Sequence, residues 1–372
     1  MIMNYWLHAD PDDGPTKNII GIVKKCFPQL VLCKNFDQLK LNIQNDQQHV
    51  VLIIHPTDIT TSKTPPSHVW HQRIRELASN PIQCVWFVPE AYDIAPGNEW
   101  ACILPNLLIV TPGQHDFGKD YYSWVTWHHW LQDAVNVYQQ PSMQNYINSF
   151  DPAKSKSQLF DVLLGGLRPY RTLLHNWIER DPVLSAQTVM TYYGGKTTRP
   201  SEILEPGMII PVPVKHFGVM CKFQGVHTRA GVIPPVSVYQ QTAYSVVTET
   251  TAQNNHVFYT EKIARVIVCR RLFIVLSSYK YLHYLRESGF KTFSSIIDES
   301  YDLEVNDVRR WRMAFEQMQQ LAKMDQSWVL EQIQSIVEYN LLVLMHTNWN
   351  QQMTYDVNQI VNARLQLDLK KS

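Results

Sequence analysis

Glu261 and Lys262 stand side by side where a polar loop, Thr250–His256, gives way to the apolar run Ile263–Val268. A carboxylate accepts both hydroxyls of a ribose diol, and an ammonium on a flexible stem pairs with phosphate oxygens. Adjacent positions do not share a helix face, so the pair meets one ligand only where that ligand lies across a helix start. Thr260 is a residue type that caps such a start, and the unpaired N–H groups there favour anions. Upstream, Arg168 and Arg171 follow Gly165–Gly166. Glycines let backbone approach a ligand, and a guanidinium forks onto phosphate oxygens. His8 and Asp10, with Asp12 and Asp13 close behind, follow the first apolar run. Such groups can take a proton from an acceptor hydroxyl. His55, Glu90, His115 and Asp116 occupy similar strand-end places and compete for that role.

These residues need strands and helices to hold them. In the first part, Ile2–Leu7, Gln29–Cys33, Val50–His55, Cys84–Val88 and Leu107–Val110 read as strands. Lys17–Phe27, Ser67–Ser79 and Tyr121–Tyr138 carry helical spacing. Four aliphatics in a row at Val51–Ile54 suit a sheet covered on both faces. Alternating strands and helices predict an open, mostly parallel sheet over 1–150. The polar, proline-bearing stretch Gln139–Ser157 reads as an interdomain boundary.

A second α/β domain is expected over 158–310, with strands at Leu159–Leu164, Thr188–Tyr193, Tyr244–Glu249 and Leu272–Leu276. Its helices are expected to run through Trp177–Ile178, over Thr260–Val268 and over Lys280–Glu287, the last stopped by Gly289. Lys291–Phe293 looks strand-like, and Pro200–Pro213 reads as an irregular insertion. Val308–Met324 and Trp328–Met345 are expected as helices within a closing segment, 311–372, that braces the domains. Ligands in such sheets lie beyond the carboxyl ends of the strands, where Glu249, Glu261 and Lys262 fall.

Bulk properties narrow the class. Lys plus Arg equals Asp plus Glu at 33 each among 372 residues, so no net charge draws the chain to nucleic acid. Arg309, Arg310 and Arg312 make only a short basic cluster. Six cysteines lie far apart with no C-x-x-C pair, which fits free thiols better than zinc or disulfides. No metal is expected: Asp298, Glu299 and Asp302 have no Asp-x-Asp partner, and His128–His129 with His68 and His71 lack ligand spacing. The N-terminus lacks a basic start and soon meets acidic residues, unlike a signal peptide, and no apolar run reaches membrane-spanning length. A reducing cytoplasmic setting is therefore expected. Neither a G-x-x-x-x-G-K-[ST] loop nor a G-x-G-x-x-G after the first strand is present, which counts against nucleotide hydrolysis and bound NAD.

Tyr244–Thr250, then Phe258–Lys262, then Arg271–Ile274 resembles the donor-binding half of fucosyltransferase-type enzymes. Those enzymes show a strand ending in Glu-Asn, a short loop, Tyr-Val-Thr-Glu-Lys opening a helix, and a Val-Pro strand. Tyr281–Phe293, Asp298–Asp302 and Arg168–Arg171 also resemble uncharacterised glycosyltransferase-like proteins of phages and marine microbes. The resemblance spans about 159–310 and departs at Thr250, where Asn is usual, and at Arg271–Phe273. It implies two Rossmann-like domains of GT-B type, an acceptor domain followed by a donor domain. It also implies metal-independent transfer from a GDP- or UDP-sugar to a hydroxyl acceptor. Glu249 would line the sugar or acceptor side, Glu261 would hold the ribose and Lys262 the phosphates. Arg171 is preferred over Arg168 as a second phosphate contact, because it matches a basic position of those proteins. The same site without turnover would make a nucleotide-binding interaction protein.

Overall fold

The computed structural model describes residues 4–9, 21, 23–25, 28, 31–33, 36–44, 49–54, 76, 83–87, 107–112, 114–115, 122–125, 128–165, 168–192, 205–209, 220–250, 252 and 256–369. The chain divides into two compact units, one of Met1–His129 with Asn348–Ser372, the other of Trp130–Thr347.

The first unit holds a six-stranded sheet. Its strands are β1 (Asn4–Ala9), β2 (Val31–Cys33), β3 (His49–Ile54), β4 (Gln83–Phe87), β5 (Leu107–Pro112) and β6 (Tyr122–Val125). They lie in the order β2-β1-β3-β4-β5-β6 and pair parallel throughout. Helix α1 (Phe36–Gln44) links β2 to β3. The strand order reverses between β1 and β3, so the carboxyl end of β1 lies at a topological switch point. The expected helix over Tyr121–Tyr138 is instead β6 followed by α2 (His129–Tyr138). Aromatic and β-branched residues at Tyr121–Trp127 favour a strand, and a short apolar run does not by itself announce its period. Most of Lys17–Phe27 and Ser67–Ser79 lies outside the described residues.

The second unit is built on four parallel strands: β7 (Gln158–Leu163), β8 (Thr188–Thr191), β11 (Thr242–Thr248) and β12 (Phe273–Leu276). Their order is β12-β11-β7-β8. Every residue of β11 and β12 is buried, as a sheet covered on both faces requires. From β7 the chain passes through α4 (Pro169–Glu179) and α5 (Pro182–Ala186) to β8 on one side. From β11 it passes through α7 (Glu261–Val268) to β12 on the other. Right-handed crossovers in opposite directions put α4 and α7 on opposite faces. The strand order therefore reverses between β7 and β11, the two central strands.

Gln139–Ser157 is not a linker. It contains α3 (Pro141–Asn148), and α2 and α3 are tied to the second unit. Tyr138 Oη donates to the Val232 carbonyl at 2.8 Å, Ser142 to Gln224 at 2.7 Å and Tyr146 to Pro234 at 2.9 Å. Val232 and Gln224 belong to a subdomain after β8: a hairpin, β9 (Met220–Phe223) with β10 (Val226–Arg229), then the short α6 (Val236–Tyr239). Its turn places Gln224 at φ 50° and Gly225 at φ 80°, the left-handed pair a two-residue hairpin needs.

α8 (Tyr281–Glu287), α9 (Asp307–Leu321) and α10 (Gln326–His346) complete this unit. Gly289 at φ 95° ends α8 as expected. Lys291–Phe293 is not a strand; the Lys291 and Phe293 amides donate instead to the side chains of Asn340 and Glu299. The last helix, α11 (Trp349–Leu369), belongs to the first unit. There the ring of Trp349 meets His128 edge-on at 5.6 Å.

Below the candidate site, Asp161 of β7 and Arg271 are buried together. Arg271 donates to Asp161 at 2.7 Å, to the Ser245 hydroxyl at 2.7 Å and to the Thr242 carbonyl at 2.9 Å. The Thr242 and Ser245 hydroxyls also donate to Asp161. The departure from Val-Pro at Arg271 is thus a buried ion pair tying β12 to β11 and β7.

Candidate functional site

β11 ends at Thr248, and the chain then meets Glu249, whose side chain is fully buried. One carboxylate oxygen accepts from the Thr260 amide at 3.3 Å and from the Tyr281 hydroxyl at 2.8 Å. The other accepts from the Thr260 hydroxyl. These three contacts pin the start of α7 to the end of β11. Glu249 therefore holds the helix start in place, with its carboxylate taken by the Thr260 amide, the Thr260 hydroxyl and the Tyr281 hydroxyl. Tyr281 also lies edge-on to Tyr259 at 5.0 Å. Burial, then the Glu249 charge, raises its phenol well above the ordinary value.

Thr260 is the N-cap of α7, accepting from the Lys262 amide at 3.3 Å. The helix buries Ile263, Ala264, Val266, Ile267 and Val268, leaving its first two residues at the rim. The Lys262 ammonium donates at 3.1 Å to each of three oxygens: Thr250 Oγ1, Thr260 Oγ1 and Glu261 Oε1. Side-chain exposure is 21% for Lys262 and 16% for Glu261, so both remain reachable. Burial pushes the Glu261 carboxyl upward, but Lys262 and Arg265 outweigh it and hold the group below its ordinary value of 4.5.

Across the switch point, α4 starts at Pro169 with Arg168 as its N-cap. Tyr170 Oη donates to the Glu249 carbonyl and, at 3.4 Å, to that of Thr250. Burial raises the Tyr170 phenol to about 12, with Arg171 and Arg168 opposing the rise. Arg171 is buried and donates to the carbonyls of Thr248 and Glu249 at 3.1 and 3.2 Å. A side chain at Gly165 would meet its guanidinium at 3.7 Å. Arg171 thus ties the end of β11 to the α4 start. Arg168 is half-buried, and among the described residues its guanidinium makes no hydrogen bond or ion pair. Arg171 is thus committed to the carbonyls of Thr248 and Glu249, and Arg168 has no such commitment among the described residues.

The loop edges at this end of the sheet are held by α9. Arg310 is buried and donates to the carbonyls of Ser277 at 2.9 Å, Glu304 at 2.8 Å and Ala252 at 3.1 Å. Trp311 Nε1 donates to Ala252 as well. The cluster at 309–312 is therefore no continuous basic surface. The acidic run is likewise taken up by contacts within the fold. Asp302 accepts from the Leu282 and His283 amides at 2.8 Å each, capping α8. Glu299 accepts from Thr292, Phe293 and Arg286. Among the described residues no group of three metal-ligating side chains is gathered.

Of the remaining candidates, His8 lies in β1, paired in register with Cys33 and Ile53. Asp10 is the next residue but one and lies outside the described residues, as do Asp12, Asp13, His55, Glu90 and Asp116. Arg229 stacks on Trp130, 4.4 Å from its centroid, and Lys222 lies exposed in the hairpin. The described cysteines, Cys33, Cys221 and Cys269, are buried, and among the described residues none is in a disulfide. Tyr170, Thr250 and Tyr281 escaped the sequence reading as site residues. The Glu249–Thr260 pairing that organises them spans a loop and carries no periodic signal.

Among the described residues no helix is long and apolar enough to cross a membrane. No protein-family profile matches the chain, and no curated protein matches it. Among solved structures, a crystal structure of an alpha1,3-fucosyltransferase with GDP is similar over 93% of this chain and 92% of its own, at 10% identity and a TM-score of 0.40.

Proposed function

We propose that this protein is a glycosyltransferase of GT-B type, moving a sugar from a nucleoside-diphosphate sugar to a hydroxyl acceptor without a metal. One observation carries the reading. Two helix starts, that of α4 with Arg168 and that of α7 with Glu261 and Lys262, flank the carboxyl ends of β7 and β11, where the strand order reverses. Open parallel sheets take their ligands at such a point, and two helix N-termini favour a diphosphate. The resemblance of Tyr259–Lys262 and its neighbours to a donor half adds the sugar.

In this reading Glu261 accepts the ribose hydroxyls. Lys262 and Arg168 neutralise the charge that builds on the leaving diphosphate. Glu249, Tyr170 and Arg171 hold both helix starts in register from behind. His8 and Asp10, which close and follow the first strand, are the candidates for taking the acceptor's proton.

Calorimetric titration with GDP, UDP and their sugars, repeated on Glu261→Ala and Lys262→Ala, tests the assignment. Each variant is expected to weaken the preferred nucleotide at least tenfold, the scale of a lost charge-assisted hydrogen bond. A nucleotide bound equally by wild type and both variants would remove the site. Product analysis with the bound donor then separates transfer from binding without turnover.

A further inference from the structure

The Lys262 ammonium has three N–H donors, and three oxygens already take them, each at 3.1 Å. A phosphate oxygen can reach this ammonium only by replacing one of the three. Thr260 is locked: its hydroxyl donates to Glu249 and also accepts from the Lys262 amide. Glu261 is the partner a ligand draws away, since a diol competes for the same carboxylate. Thr250 remains. It sits two residues beyond the end of β11, and Tyr170 of α4 donates to its carbonyl while its hydroxyl reaches Lys262 of α7. Thr250 thus connects the two sides of the switch point, and nothing in the Glu249 clamp requires its hydroxyl.

We infer that Thr250 is a positioning residue that keeps the Lys262 ammonium aimed at the terminal phosphate of a nucleoside diphosphate when Glu261 turns to the ribose. The inference rests on the nucleotide-sugar reading above. With Glu261 released, the Thr250 and Thr260 hydroxyls hold two of the three N–H groups and leave the third for a phosphate oxygen. Without the Thr250 hydroxyl the ammonium keeps a single tether and spreads over several rotamers. The loss then falls on the phosphates and spares the nucleoside.

The test is calorimetric affinity for GDP and UDP, and for guanosine and uridine, on wild type, Thr250→Val, Thr250→Ser, Lys262→Ala and the Lys262→Ala/Thr250→Val double variant, with thermal melting of each. Thr250→Val is expected to weaken the diphosphate roughly five- to thirtyfold, the range of one hydrogen bond to a charged group. Nucleoside affinity and melting should stay at wild-type values, Thr250→Ser should restore binding, and Thr250→Val should add nothing once Lys262 is gone. Three results overturn the inference while the nucleotide reading stands: unchanged diphosphate affinity in Thr250→Val, equal losses for nucleoside and diphosphate, or a full additional loss in the double variant. A wild-type protein that binds no nucleoside diphosphate fails the underlying reading, and the inference with it.

Discussion

Replacing Glu249 with Gln keeps shape and volume and changes only charge and the polarity of one atom. The three groups facing that carboxylate are all donors: the Thr260 amide, the Thr260 hydroxyl and the Tyr281 hydroxyl. An amide offers one oxygen and one NH2. If the oxygen faces the Thr260 amide and Tyr281, the NH2 faces Thr260 Oγ1, whose lone pairs already accept from the Lys262 amide and ammonium. If the group is flipped, the NH2 faces the Thr260 amide, a donor that cannot rotate. Either way one buried donor loses its acceptor, at about 1.5–3 kcal/mol for a bond to a charged group. The cap of α7 is disturbed with it, at about 1 kcal/mol. Glu249→Gln is therefore expected to lower the unfolding free energy by about 2–4 kcal/mol, read from urea denaturation at neutral pH. Nucleotide affinity should fall along with stability, because the same clamp sets the Glu261–Lys262 start. A variant as stable as wild type that had lost turnover would refute the clamp and return Glu249 to direct contact with substrate.

Two further outcomes follow from other buried or charged groups. Asp161→Ala leaves the buried Arg271 guanidinium without its carboxylate and is expected to cost about 3–5 kcal/mol in chemical denaturation. Asp161→Leu with Arg271→Met should cost less than the single change, and a single-variant loss below about 1 kcal/mol would contradict the role given to the pair. Glu261 has a folded-state pKa below its ordinary 4.5, through Lys262 and Arg265 acting against burial. Its contribution to stability is thus complete above the ordinary glutamate range and is lost as pH falls through the lowered folded value. Comparing wild type with Glu261→Gln in denaturant midpoints stepped downward from pH 6, the difference should be constant at first and shrink below about 4.5. A difference that grew on acidification would reverse the sign.

Local sequence determined much of this protein. The apolar runs at Val51–Ile54 and Phe273–Leu276 announce strands because such runs suit a parallel sheet covered on both faces, and Phe273–Leu276 is buried throughout. Thr260 announces the start of α7, and Gly289 the end of α8, because caps and left-handed stops are local chemistry. The start at Arg168 was legible too, because Pro169 suits the first position of a helix.

What the sequence left open depended on partners far along the chain. Nothing local separates Arg168 from Arg171; only the carbonyls of Thr248 and Glu249 show which guanidinium is committed. Glu249 reads as a free strand-end carboxylate until Thr260 and Tyr281, 11 and 32 residues away, are folded onto it. Gln139–Ser157 is polar enough to pass for a linker, but its Tyr and Ser hydroxyls find carbonyls more than 80 residues away. The reversal of strand order between β7 and β11 has no sequence signature at all, since adjacency in a sheet is set by which faces the helices cover. That reversal, a tertiary fact, turns two ordinary helix starts into one candidate diphosphate site.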